Sequence, residues 1–345
     1  MFHRSFFICT FAGGKNERSD FFSRLIPIIT YRNRYSETGQ IMEKFEINIL
    51  GCGSALPTTR HFPTSQVVNV RDKLYMIDCG EGAQLQLRRS RLKFNRLNHI
   101  FISHLHGDHC FGLPGLISTF SLLGRTATLH IHAPAALETF LDTLQKSFCQ
   151  NVGYRIALHA IDTETHSLIY EDRSVTVHSL PLRHRIPCCG FLFTEKQSLP
   201  HIRREMIDFY HIPDYEINRI KAGADWTTPD GTVIANNRLT RPAAPARSYA
   251  YCSDTLYSPQ LLPYINKVDL LFHEATFTEE HALRAQETCH STARQAAIQA
   301  RDCGAGRLCI GHFSARYEDE TPLLEEARSV FPHTLLATEG MVLTL

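Results

Sequence analysis

Ser103-His104-Leu105-His106-Gly107-Asp108-His109 is the stretch whose reading decides the fold. It follows the apolar run His99-Ile100-Phe101-Ile102 and precedes Gly112-Leu113-Pro114-Gly115, so it sits on the turn after a strand. Three imidazoles and a carboxylate this close together are nitrogen and oxygen donors of the kind that bind zinc. A His-x-His pair at a strand end can set two rings on one side of an ion. Asp108 and His109 lie past a glycine that lets the chain turn, so they can face a second ion. Without metal, such a cluster would leave ionisable groups repelling one another or desolvated.

Two ions need more ligands than one loop supplies. His184, Asp254 and His312 lie at the ends of other expected strands, and that shared position singles them out from ordinary caps and surface residues. Asp254, after Tyr251-Cys252-Ser253, is the natural bridging carboxylate, because its two oxygens can hold two cations close together. Two metals about 3.5–4 Å apart can clamp the attacking and leaving oxygens of a phosphoryl displacement.

Outward from this segment, strand candidates end repeatedly in histidine, aspartate or glycine. They are Ile47 to Leu50 before Gly51, Leu74 to Ile77 before Asp78, Tyr249 to Cys252 before Asp254, Asp269 to Phe272 before His273, and Leu308 to Ile310 before His312. Val175 to Leu182 and Gly190 to Thr194 read as a hairpin with His184 near its tip, and Gly80 to Arg91 reads as a helix. Interleaved strands and helices indicate an α/β class with helices covering sheets. Residues 196–245 carry many turn residues and one short helical pattern (Ile202 to Tyr210), which predicts a protruding insertion.

The 345 residues are 43% hydrophobic and 21% charged, which excludes a disordered, collagen-like or coiled-coil chain. Lys plus Arg number 36 against 35 Asp plus Glu, so no global basic field attracts a polyanion. Eleven cysteines form no CxxC pair, which fits a reducing cytoplasm better than a disulfide framework. No apolar run approaches a membrane span. Residues 1–41 are basic, sprinkled with aromatics and without period, whereas Met42-Glu43-Lys44-Phe45 leads straight into the first strand. The expectation is a domain over 42–345 preceded by an extension or a misassigned start.

The same residues resemble the metallo-β-lactamase superfamily, whose signature is His-x-His-x-Asp-His, and within it the ribonuclease Z (tRNA 3′-processing endonuclease) family. The resemblance runs over 42–345 and is carried by Leu50-Gly51-Cys52-Gly53-Ser54, Ile77-Asp78-Cys79-Gly80-Glu81-Gly82, the metal loop, His273-Glu274-Ala275-Thr276-Phe277, His290-Ser291-Thr292 and His312-Phe313-Ser314-Ala315-Arg316-Tyr317. The metal loop specifies only the superfamily, while the His-Glu-Ala-Thr and His-Ser-Thr segments point to the ribonuclease Z branch.

The resemblance implies an αβ/βα four-layer sandwich with a protruding arm, two Zn²⁺ per subunit, no organic cofactor, and a cytoplasmic homodimer in which one subunit's arm serves the other's active site. It implies that His104, His106, His184 and bridging Asp254 hold one zinc, and Asp108, His109, Asp254 and His312 the other. Asp108 is then the proton acceptor for the nucleophilic water, and His290 with Glu274 contacts the scissile phosphate and protonates the leaving oxygen. Asp78 has the place of a carboxylate fixing a ligand imidazole, or else of a plain strand-end cap. The implied activity is endonucleolytic removal of the 3′ trailer from precursor tRNA, leaving a 3′-hydroxyl. The alternative is a phosphodiesterase of the same fold acting on small or non-tRNA diesters.

Two stretches depart from the family pattern. Pro57-Thr58-Thr59-Arg60-His61-Phe62-Pro63-Thr64-Ser65 stands where relatives often carry Pro-x-Lys-x-Arg-Asn, a loop associated with sensing the tRNA 3′ end. In the arm, Ile212-Pro213-Asp214-Tyr215-Glu216 replaces a usual Gly-Pro pair, and residues 196–221 hold five basic against four acidic residues. Arg203, Arg204, Arg219 and Lys221 remain candidates for phosphate contact, beside a denser basic stretch of Arg88, Arg89, Arg91, Lys93 and Arg96. Solvated helix faces are the competing reading for both groups.

Overall fold

Along Phe45–Gly51 the residues Phe45, Ile47 and Ile49 pack into one core and Leu50 into another, so this strand is covered on both faces. The same division continues through its neighbours. Val68, Val70, Tyr75, Ile77 and Phe101 join the first core, while Val67, Leu74, Met76, Ile100 and Ile102 join the second. A strand buried on both faces belongs in the middle of a layered α/β fold.

The computed structural model describes residues 43–150 and 152–345, and the expectation about residues 1–41 lies outside the described residues. In chain order the strands are β1 (Phe45–Gly51), β2 (Ser65–Val70), β3 (Lys73–Ile77), β4 (Leu97–Phe101), β5 (Leu129–Ala133), β6 (Ile156–Ala160), β7 (Leu168–Glu171), β8 (Val175–Pro181), β9 (Cys189–Glu195), β10 (His201–Ile202), β11 (Trp226–Thr227), β12 (Val233–Ile234), β13 (Thr240–Arg241), β14 (Ser248–Cys252), β15 (Leu270–Glu274), β16 (Arg307–Gly311), β17 (Thr334–Leu336) and β18 (Val342–Thr344). The α-helices are α1 (Ala83–Arg89), α2 (Gly107–Cys110), α3 (Leu113–Leu122), α4 (Leu137–Ser147), α5 (Arg204–Phe209), α6 (Asp214–Lys221), α7 (Asn236–Leu239), α8 (Ala282–Thr288), α9 (Ala293–Asp302) and α10 (Thr321–Val330).

Two seven-stranded sheets have the orders β18-β1-β2-β3-β4-β5-β6 and β17-β16-β15-β14-β9-β8-β7. Both are mixed: β3 to β6 and β14 to β17 run parallel, and the rest antiparallel. Between the sheets lies the first core, with Phe101, Phe191, Phe193 and Tyr251 fully buried. Leu87, Leu116, Phe120 and Leu141 of α1, α3 and α4 close the outer face of one sheet, and Ala293, Ala297, Leu323 and Ala327 of α9 and α10 that of the other. These are the four layers of an αβ/βα sandwich.

The helix expected over Gly80 to Arg91 occupies only Ala83–Arg89. Gly80-Glu81-Gly82 forms the turn before it, with Gly82 at φ 81°, a conformation glycine adopts without a Cβ clash. A Cβ on Gly80 would stand 2.5 Å from the Asp108 carbonyl oxygen, so glycine is what lets the metal-loop segment pack there.

The insertion between β9 and β14 is more ordered than its composition suggests. It holds α5, α6 and α7 and two small antiparallel pairs, β10 with β13 and β11 with β12. Ile212, Ile220, Ile234 and Leu239 form its own buried cluster. Full burial of such a side chain stabilises by roughly 1.5–3 kcal/mol, so this cluster contributes to ordering the arm.

Candidate metal centre

Strand direction gathers the candidate residues. In the register of the parallel ladder Cys252 lies beside His273 and Glu274 beside Gly311, so the residues that follow, Asp254, Ala275 and His312, emerge at one edge of the second sheet. Ile77 pairs with Phe101 in the first sheet, which brings Asp78 and the loop from Ser103 to the corresponding edge. His184 comes from the turn between β8 and β9. Ligand sites of open α/β sheets form outside the carboxyl ends of parallel strands. Asp78, Asp254 and His312 adopt left-handed φ values of 53°, 51° and 62°. That conformation costs about 1–3 kcal/mol in a non-glycine residue and persists where the surroundings impose it.

His106 Nδ1 lies 3.0 Å from His104 Nε2 and 3.2 Å from His184 Nε2, while Asp254 Oδ2 stands 3.6 Å and 3.8 Å from those two Nε2 atoms. The other oxygen of Asp254, Oδ1, lies 3.2 Å from His109 Nε2 and 3.1 Å from His312 Nε2. Asp108 Oδ2 is 3.5 Å and 3.6 Å from the same two nitrogens. The described residues thus form two groups of donors that meet at Asp254, one oxygen in each.

The donor chemistry fits cations. Four of the five imidazoles have their outward nitrogen engaged elsewhere: His104 Nδ1 with Ser103 Oγ at 3.0 Å, His184 Nδ1 with the Cys289 carbonyl at 3.0 Å, His109 Nδ1 with Asp78 at 2.8 Å and His312 Nδ1 with Thr276 Oγ1 at 3.0 Å. A ring donating from its outward nitrogen turns a lone pair inward. Asp78 is the hub of this support. It accepts from Ser103 N and Oγ at 2.8 and 2.9 Å, from the Tyr251 hydroxyl at 2.7 Å and from His109. Burial, and next the neighbouring His109, push the His104 imidazole well below its usual range, towards the neutral ligand form. For Asp254 burial opposes ionisation, but His312, His109 and His104 outweigh it and hold the carboxylate ionised.

Beside these groups lies a second pair. His290 Nδ1 is 2.9 Å from Glu274 Oε1, an oxygen that also accepts from Thr255 N at 2.7 Å, while Thr276 Oγ1 donates to Glu274 Oε2 at 2.5 Å. His290 is held in place because the N-cap of α9, Thr292, lies two residues later in a capping box: Gln295 N donates to Thr292 Oγ1 and Thr292 N to Gln295 Oε1. Burial lowers the His290 pKa, but the Glu274 carboxylate outweighs it and raises it to about 9.

All of this surrounds a pocket of about 420 Å³ lined by His106, Asp108, Asp254, His290 and His312, with Ala55, Pro57 and Pro63 forming part of its wall. Ala55 N donates to Asp108 Oδ2 at 2.8 Å, so the loop after β1 fixes that carboxylate. The sequence reading missed this amide, along with Ser103, Tyr251, Thr276 and Arg185, the last an exposed residue lining the pocket. Thr276 and Tyr251 do lie inside stretches quoted for other residues, whereas a backbone donor carries no side-chain signal. The arm residues Arg203, Arg204, Arg219 and Lys221 are not part of the pocket lining. Arg219 pairs with Glu216 at 3.2 Å, and Arg203 donates to the Thr240 carbonyl at 3.2 Å. Arg88 and Arg89 are exposed on α1, with the Arg89 guanidinium 5.5 Å from the Phe62 ring centre in the loop beside the pocket.

Comparison with known proteins places this geometry. Residues 45–200 match a family described as anti-Pycsar protein Apyc1. Over 304 residues, 88% of the chain, the sequence is 65% identical to ribonuclease Z of Bacteroides fragilis, covering all of that protein, and 66% identical to ribonuclease Z of Bacteroides thetaiotaomicron, covering 96% of it. Human tRNase Z, short form, superposes with a TM-score of 0.63 at 27% identity over 86% of this chain and 98% of that one. The metallo-β-lactamase fold protein YhfI of Bacillus subtilis superposes with a TM-score of 0.62 at 18% identity, over 88% of this chain and all of that one, a likeness of fold. Identity of that degree, carried from end to end of a curated relative, means that this chain belongs to the ribonuclease Z family.

Proposed function

We propose that this protein is a zinc-dependent endoribonuclease that removes the 3′ trailer from precursor tRNA and leaves a 3′-hydroxyl. The observation that carries the reading is Asp254, whose two oxygens face two separate sets of imidazoles in a chain of this family. His104, His106, His184 and Asp254 would hold one Zn²⁺, and Asp108, His109, Asp254 and His312 the other. Bound there, a cation pair supplies Lewis acidity toward phosphoryl oxygens and makes water acidic near neutrality.

The chain's own groups account for the protons. Asp108, oriented by the Ala55 amide, accepts the proton of the attacking water. Water adds to phosphorus as the bond from phosphorus to the tRNA 3′ oxygen breaks, so the phosphate departs with the trailer. His290, kept protonated by Glu274, donates its proton to that 3′ oxygen. Arg185 and the basic face of Arg88 and Arg89 offer positive charge to flanking phosphates, and the arm, with Arg203, Arg204, Arg219 and Lys221, offers a separate surface for the body of the tRNA. No helix among the described residues is long and apolar enough to cross a membrane. A cytoplasmic homodimer, with each arm serving the partner's site, is the assembly this reading favours.

The test is incubation of zinc-loaded protein with precursor tRNAs whose trailers do or do not include CCA. Cleavage at the trailer junction leaving a 3′-hydroxyl is expected, and Asp108→Ala should abolish it while tRNA binding survives. If neither RNA is cut while a chromogenic phosphodiester is, the reading is replaced by that of a small-diester hydrolase.

A further inference from the structure

Where the loop after β1 departs from the family pattern, the chain builds a second constellation that shares no residue with the centre described above. Cys52 Sγ lies 3.3 Å from His61 Nδ1 and 3.6 Å from Glu339 Oε1, and His61 Nδ1 lies 3.3 Å from that same oxygen. The three donor atoms form a closed triangle. A tetrahedral zinc with bonds of about 2.3 Å to sulfur and about 2.0–2.1 Å to nitrogen or oxygen would set donor-to-donor edges of about 3.5 Å and about 3.4 Å. All three observed edges fall within a few tenths of an ångström of those lengths.

The acceptors gathered at the Cys52 sulfur outnumber its single proton. The Cys52 thiol has one proton, yet the Ala337 carbonyl at 3.5 Å, Glu339 and His61 all converge on its sulfur. The surroundings have the anatomy of a metal site. His61 Nε2 is 3.1 Å from Glu320 Oε1, the carboxylate partner that typically fixes the orientation of a ligating imidazole, and Arg60 Nη1 holds the same Glu320 oxygen at 2.9 Å. Phe62 N donates to Glu339 Oε1 at 2.9 Å and fixes the second donor. The charges also close: a thiolate and a carboxylate neutralise a dication, while Arg60 offsets Glu320. Cys52 is fully buried, whereas the His61 and Glu339 side chains keep 12% and 18% of their surface, which leaves an ion a route from solvent.

We propose that Cys52, His61 and Glu339 bind a further zinc-class divalent cation, held by sulfur, nitrogen and oxygen, with solvent in the fourth position. Binding displaces the thiol proton, and any proton on His61 Nδ1, to water. The ion ties the end of β1, the loop over 57–63 and the turn before β18 into one unit. That loop supplies Pro57 and Pro63 to the pocket wall, and Ala55 at its root holds Asp108, so the ion acts as a staple behind the candidate centre rather than within it. The assignment does not depend on which substrate the protein cleaves.

The experiment is reconstitution of the full chain with Co²⁺ after exhaustive chelation. The candidate catalytic set offers only nitrogen and oxygen donors, so a thiolate-to-cobalt charge-transfer band in the near ultraviolet reports the proposed site alone. The band is expected in the parent protein, lost in Cys52→Ser and in His61→Gln, and retained in Asp254→Ala. Zinc counted by mass spectrometry after reloading should be one ion per chain lower in Cys52→Ser than in the parent. Absence of the band in the parent protein, which requires no variant to fold, overturns the proposal. So does a band, or a zinc count, that Cys52→Ser leaves unchanged.

Discussion

Replacing Asp78 by Asn keeps the size of the side chain and exchanges one acceptor for a donor at a fully buried position. In the parent, Oδ1 accepts from the backbone amide of Ser103, while Oδ2 accepts from Ser103 Oγ, Tyr251 and His109. If the new amide nitrogen took the place of Oδ1, the Ser103 N–H would be buried without an acceptor, at a cost of about 1–3 kcal/mol. The asparagine therefore keeps its oxygen toward Ser103 and turns its NH₂ toward three donors. Two of them are hydroxyls that can rotate. The third, His109 Nδ1–H, can escape only by moving its proton to Nε2, the atom that faces Asp254 Oδ1 and His312. The ring then presents a hydrogen where a lone pair is needed. Loss of such an outer partner typically weakens metal affinity 10- to 100-fold, about 1.4–2.8 kcal/mol. Competition against a chelator of known zinc affinity measures this directly, and cleavage at limiting zinc should fall in parallel and recover at excess zinc. An Asp78→Asn protein that binds zinc as tightly as the parent would refute the assignment of Asp78 as the group that sets the His109 tautomer.

Three further outcomes are expected. His290→Ala should lower kcat by about 10²–10⁴-fold, the usual worth of a general acid, with KM nearly unmoved; a change confined to KM would reassign His290 to substrate binding. In the arm, Ile220→Ser opens the small cluster with Ile212, Ile234 and Leu239, and should raise KM for precursor tRNA while hydrolysis of a chromogenic phosphodiester continues at the parent rate; equal losses on both substrates would mean the arm supports the whole domain. Acid stability offers a test away from the centre, where His99, His130, His132 and His159 stack on β4, β5 and β6. Burial, and next neighbouring imidazoles, hold His99 at about 4 and His132 at about 3, below the 6.5 of an exposed histidine. The unfolded chain therefore binds more protons, so stability is fully present above pH about 6.5 and falls as pH drops toward those values. Changing both to Phe should remove on the order of 2 kcal/mol of that slope, after a discount for the partial exposure of His99. Urea midpoints of the metal-free protein at pH 7 and pH 4.5 check it, and a slope equal to the parent's would dismiss the stack as the cause.

Particular elements show how far local pattern reaches. The strands before Asp78, Asp254 and His312 are legible because short apolar runs rich in β-branched and aromatic residues end at a polar residue, a signal local in sequence. The helix after Asp78 is legible in kind but starts later than its pattern suggests, since Gly80-Glu81-Gly82 is a turn. The arm reads as irregular because Ile212, Ile220, Ile234 and Leu239 are scattered among turn residues, and only folding brings them together.

By itself the sequence determined the donor types, their place at strand ends and the family, because ligand chemistry and motif spacing are properties of the chain. Tertiary structure alone decided which oxygen of Asp254 faces which imidazoles, that Asp78 supports His109, that the Ala55 amide holds Asp108, and that Cys52 and His61 meet Glu339 from 287 and 278 positions away. Such meetings depend on the register of parallel strands within each sheet and on how the two sheets pack. No local periodicity encodes either.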